Sequence, residues 1–88
     1  MNETEAQMTV FLSTLQAFNA HLHASVRDMT HHHETVNPLW QDSFRRQYDA
    51  EWQQFVDLMA RYLNYEAPAY EQYLYEKLIA LRGYLYGD

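Results

Sequence analysis

Three consecutive histidines and a glutamate, His31-His32-His33-Glu34, are the residues best suited to bind a metal. Imidazole and carboxylate are common transition-metal ligands, and His31 and Glu34 reverse the Glu-x-x-His spacing of di-iron helical bundles. Such a centre also needs converging carboxylates, whereas the neighbouring stripes are aromatic and aliphatic. We therefore predict no metal site and no cofactor, and interpret these histidines as polar residues at a helix end. His-mediated metal binding stays open as an alternative.

Residues for covalent or acid–base catalysis are poorly placed. Ser13, Ser25 and Ser43 do not lie in a nucleophile elbow or beside an obvious base. The chain has no cysteine and no glycine-rich phosphate loop. We predict no catalytic residue and a protein that is not an enzyme.

Composition limits both the fold class and the partners. The 88 residues are 48% hydrophobic and include only two glycines and two prolines, which favours one all-α domain over residues 1–88. The formal net charge of −6 disfavours nucleic acid and anionic membranes as partners. No uncharged apolar run is long enough to span a membrane, and no basic leader precedes one. We therefore expect a cytoplasmic protein.

The first predicted element is a helix of about residues 4–33, and the histidines lie at its C-terminal end. Asn2 and Thr4 are its candidate caps, since each has Glu or Gln three residues later. The segment from Ala6 to Val26 carries no charge, so its polar face is either exposed or a second packing face. A seven-residue rhythm predicts that the apolar stripe is core; its members are Met8, Phe11, Leu12, Leu15, Phe18, Leu22, Val26, Met29 and Val36.

A turn then separates this helix from a second one of about residues 38–64. Asn37 is a good N-cap, and Pro38 suits the first helical position. Trp40 is the large apolar residue nearest the turn, and we expect it to be at least partly buried there. These three residues are predicted to anchor the turn between two antiparallel helices.

A second proline divides the remaining stripes. Those stripes are Phe44, Tyr48, Trp52, Phe55, Met59 and Tyr62, followed by Tyr70, Leu74, Leu78, Leu81 and Leu85. On one helical wheel the later stripe lies roughly a quarter turn from the earlier one. Because Pro68 also disfavours helical geometry at the residue before it, we predict a break or sharp kink within 64–68. The expected fold is thus an antiparallel hairpin of two long helices plus a third helix, about 68–86, that folds back or extends to a partner.

Tyrosine is the compositional anomaly of the chain. Seven of the eight tyrosines follow residue 61, and tyrosine is typical of interfaces, although half-buried packing also explains it. We predict a protein–protein interaction module, either a homo-oligomer or a subunit of a heteromer. Tyr70, Tyr73, Leu74 and Leu81 are expected near the interface.

The chain also resembles the small Trp-x-Gly helical hairpins of type VII secretion. Trp40-Gln41-Asp42 lies at the turn, with aspartate where that family has glycine, and Tyr84 to Asp88 fits the family's Tyr-x-x-x-Asp/Glu export signal. The resemblance implies a hairpin over residues 4–64 that dimerises into a four-helix bundle. It also implies an exported protein, which is an alternative to the cytoplasmic interaction module.

Overall fold

The computed structural model describes residues 2–35 and 42–87, which are helical apart from their short ends and contain no strand. The helices are α1 (Glu3–His33), α2 (Asp42–Arg61) and α3 (Ala67–Tyr86). A π-helical segment, Tyr62–Glu66, joins α2 to α3 and is called the π turn below. The molecule measures 65 × 17 × 14 Å, the dimensions of two antiparallel helices lying side by side. The predicted all-α class is confirmed.

Local capping explains where α1 begins and where α3 ends. Of the two candidate caps for α1, the structure uses Asn2, whose Oδ1 accepts a hydrogen bond of 3.0 Å from the backbone N–H of Glu5. This bond satisfies one of the otherwise unpaired N–H groups of the first turn. α3 ends at Gly87, which has a φ of 78° and donates its N–H to the carbonyl of Gly83. A left-handed residue at this position is a common helix stop that glycine adopts without steric cost.

The helix does not break at Pro68. Arg61, Glu66 and Ala67 all keep right-handed helical backbone angles, so residues 42–86 follow one continuous path. The Ala67 N–H bonds to the carbonyl of Tyr62, five residues earlier. Pro68 follows at once, in the first turn of α3, where the shifted hydrogen-bond ladder tolerates a residue without an N–H. The predicted third helix, separated at Pro68, is therefore not confirmed.

The π turn also accounts for the quarter-turn offset between the two stripes. A π turn places one extra residue in a helical turn, and one residue corresponds to ~100° of an α-helix. The later stripe is thereby rotated back by roughly a quarter turn. The offset seen in the sequence is thus removed within a continuous helix and requires no break.

The core lies mainly between α1 and α3, where the backbones make most of their close approaches. Its buried members are Leu12 and Asn19 from α1 with Ala67 and Leu78 from α3. The predicted α1 stripe is only partly core. Met8, Leu15, Leu22 and Val26 are half-buried, whereas Phe11, Phe18 and Met29 are exposed. The narrow contact of just two helices leaves no room to cover them.

Candidate functional site

A buried polar cluster lies beside the π turn. Asn19 is only 6% exposed, and its Nδ2 donates a hydrogen bond of 2.7 Å to Oε2 of Glu71. Its Oδ1 accepts a hydrogen bond of 2.7 Å from the Tyr62 hydroxyl. One side chain of α1 thus bonds both to the first residue of the π turn and to α3. A buried asparagine that must keep two partners favours one register between packed helices.

Sequence reasoning missed this cluster, because the α1 stripe predicted to be core contained apolar residues alone. The signal was present, because Asn19 lies seven residues from both Leu12 and Val26. Seven-residue spacing places side chains on the same helix face. A polar residue at a core position of this rhythm is therefore a candidate for a buried hydrogen-bond cluster.

A second cluster joins the end of α1 to α2. The His33 ring stacks on Trp52 at 4.5 Å between centroids and on Tyr48 at 5.2 Å. Its Nδ1 is also 2.9 Å from the Tyr48 hydroxyl. His33 therefore packs between helices, whereas His31 and His32 are exposed. The consecutive histidines do not converge.

Other ligand-type residues do not complete a metal centre around them. Nδ1 of His32 is 3.8 Å from Oδ2 of Asp28, and both side chains are well exposed. Within residues 2–35 and 42–87, no three side chains of the His, Cys, Asp and Glu types are close enough to hold a metal ion together.

The open end of the hairpin carries a third cluster. Oε1 of Glu5 is 3.1 Å from Nε of Arg82, and Oε2 accepts a hydrogen bond of 2.6 Å from the Tyr86 hydroxyl. The hydrogen bond from Tyr86, helped by the Arg82 guanidinium and opposed by partial desolvation, lowers the pKa of the Glu5 carboxyl. The same hydrogen bond raises the pKa of Tyr86.

Each of the three clusters joins α1 to the opposite helix. No buried side-chain nitrogen or oxygen in the described residues lacks a hydrogen-bond partner. Because the polar groups of these clusters are directed at each other, the arrangement supports a structural role for them.

The predicted anchors of the turn, Asn37, Pro38 and Trp40, lie outside the described residues. The predicted interface residues are all on α3. Tyr70 and Tyr73 are more than half exposed, and Leu74 and Leu81 are half-buried. Leu74 lies at the edge of a shallow apolar groove whose other walls include Met8 and Phe11.

The exposed surface of α1 is the feature that sequence reasoning underestimated. Phe11 is 60% exposed and Phe18 is 57% exposed. Val10, Phe11 and Thr14 line a second shallow groove together with Glu3, Ala6 and Gln7. An apolar surface of this kind on a small protein is typical of an interaction site.

The total surface agrees with that view. The chain exposes 7039 Å², whereas a compact monomer of its mass exposes about 5,500 Å².

None of the described helices is both long enough and apolar enough to cross a membrane. No known protein family, curated protein or solved structure shows a significant match to the chain.

Proposed function

We propose that the protein is a non-enzymatic interaction module that associates with a second copy of itself through its helical hairpin. The observation that carries this proposal is the poorly covered core. Only Leu12, Ala67 and Leu78 are buried hydrophobic residues among those described. Among the described residues, no large side chain is fully buried. A two-helix layer has one interior seam, and that seam is too narrow for the apolar residues of this chain.

The exposed surface area shows how much of the chain is left uncovered. The surface exposed beyond that of a compact monomer is about 1,500 Å². Stable complexes bury about 800 Å² on each partner, so the excess is large enough for one such interface. Closed symmetric dimers are the commonest homo-oligomers. A second hairpin packed on the first provides the further layer that a hydrophobic core requires.

Light scattering after gel filtration tests this function. We expect a mass of two chains, or a higher multiple, at micromolar concentration, falling toward one chain on dilution. A mass of one chain that is unchanged across the concentration series would overturn self-association. The apolar surface would then require a different protein as partner, which a pull-down from the native host would identify.

Export through a type VII-like pathway is a second candidate. It is supported by the antiparallel hairpin and by the exposure of Tyr84, 86%, at the start of the Tyr-x-x-x-Asp match. The first candidate places the protein in the cytoplasm, and this one places it outside the cell. Release from the native host distinguishes them: Tyr84→Ala should abolish release if the match is a signal, whereas Tyr75→Ala should not. Equal retention of the unmodified chain and both variants would overturn export.

A further inference from the structure

The outer face of α1, formed by Val10, Phe11, Thr14, Ala17 and Phe18, lies away from α3. All five residues are exposed. At 100° per residue, Thr14 lies about 200° around the helix from the buried Leu12. The face combines two aromatic side chains with two smaller apolar ones and a single hydroxyl. It has no cover within the described part of its own chain.

The absence of charge lets a second copy of the chain occupy this face. Each chain carries a formal net charge of −6, so two copies repel wherever acidic surfaces meet. The segment from Ala6 to Val26 carries no charged residue. Two copies of the outer face therefore meet without opposing like charges.

The order of residues along the face is complementary to its own reverse. In an antiparallel pair centred on Thr14, position 10 of one helix is opposite position 18 of the other, and position 11 is opposite position 17. Val10 then faces Phe18, and Phe11 faces Ala17, so that large side chains meet smaller ones. Alternating large and small residues let facing helices interdigitate.

We propose that α1 of one copy packs antiparallel on α1 of a second copy through this face, with Thr14 on the two-fold axis. This inference rests on the proposed self-association and names its surface. In such a symmetric interface the axis residue contacts its own equivalent, and every other contact occurs twice. Phe11 also lines the groove that includes Leu74.

Cysteine crosslinking tests the axis directly, because the chain has no cysteine of its own. In the Thr14→Cys variant, the two introduced thiols should meet and oxidise to a covalent dimer, since a disulfide requires Cα atoms within ~7 Å. Ser13→Cys is the matched control: Ser13 is also exposed but lies ~100° around the helix. Rapid crosslinking of Thr14→Cys and not of Ser13→Cys supports the proposed axis.

A charge substitution tests the same face without a crosslink. Phe11→Lys should raise the dimer dissociation constant by at least ~30-fold, the effect of losing a central aromatic contact. Tyr84→Lys is the control, because it makes the same charge change at an exposed residue outside the face. Both changes reduce the negative charge, so general repulsion does not explain a loss of dimer. Circular dichroism checks that each variant remains helical.

The outcomes separate the two proposals. A single-chain mass for the unmodified protein overturns self-association, and this face with it. A dimer in which Phe11→Lys behaves like the unmodified chain, and Thr14→Cys crosslinks no faster than Ser13→Cys, overturns the face alone. If Phe11→Lys fails to fold, the two cysteine variants alone decide whether this face of α1 is the dimer interface.

Discussion

The two halves of the hairpin, on either side of the π turn, contain similar apolar stripes but are packed differently. Between α1 and α3 the helices bury leucines on both sides, Leu12 and Leu78. α2 contributes no buried residue among those described. Of its stripe residues, Phe44 is 64% exposed, and Trp52, Phe55 and Met59 are only half-buried. An apolar stripe therefore does not by itself produce a core.

Side-chain size explains the difference. Ala67 is 2% exposed, and a residue this small lets the α1 and α3 backbones approach closely. In the other half, α1 meets α2 through the stacked rings of His33 and Trp52, with centroids 4.5 Å apart. Rings placed between two helices hold the backbones apart, and stripe residues of α2 such as Phe55 and Met59 are then only half-buried. Close approach, rather than hydrophobicity alone, determines burial.

The largest expected effect concerns leucines from the two halves. Leu78→Ala should lower the free energy of unfolding by ~2–5 kcal/mol, because it leaves a cavity beside α1. Leu58→Ala should change it by less than ~0.5 kcal/mol, as is typical of exposed positions. Urea melts at one fixed protein concentration measure both variants. Equal losses would mean that the two halves are packed alike.

Deletion of one residue tests the function of the π turn. In a Pro68→Ala background, deleting the exposed Tyr65 should convert the π turn to α-helix and keep the stripes aligned, with a loss within ~1 kcal/mol. Deleting Gln72 instead should turn either Leu78 or Ala67 away from α1 and cost ~3 kcal/mol. Thermal melts followed by circular dichroism compare the two. If deleting Tyr65 is the more damaging change, the π turn does not set the alignment.

Asn19 joins α1 to the first residue of the π turn and to α3. Asn19→Ala should lower the free energy of unfolding by ~1–3 kcal/mol, since it leaves the Glu71 carboxylate and the Tyr62 hydroxyl without their partner. Asn64→Ala, at an exposed position of the π turn, is the control and should change it by less than ~0.5 kcal/mol. A double-mutant cycle with Tyr62→Phe measures the coupling, and additive losses would contradict a shared cluster.

The smallest expected effect is the pH response of the open end. The lowered pKa of Glu5 stabilises the fold above the ordinary glutamate pKa, and this contribution is lost as the pH falls through the lowered value. The raised pKa of Tyr86 stabilises the fold below the ordinary tyrosine pKa of about 10. That contribution is lost as the pH rises through the raised value.

Removing the Tyr86 hydroxyl tests this pairing. Tyr86→Phe should raise the pKa of Glu5, whereas Tyr84→Phe should not. An NMR titration of the Glu5 carboxyl carbon measures the midpoint. The same midpoint in the unmodified protein and in Tyr86→Phe would show that the hydroxyl does not set this pKa.

The sequence by itself determined the all-α class, limited the cap of α1 to Asn2 or Thr4, and showed the offset between the two later stripes. These features depend on local backbone preferences and on periodicity, which neighbouring residues already express. The expected turn at Asn37, Pro38 and Trp40 stays a prediction.

The tertiary structure decided the rest. A quarter-turn offset is equally consistent with a break at Pro68 and with a π turn, and contact along α1 favours the continuous helix because both stripes then face it. The same contact distinguishes Asn19, which is buried between two partners, from the exposed Phe18 one residue earlier. Periodicity identifies which residues share a face. Only the path of the opposite helix decides which of those faces is covered.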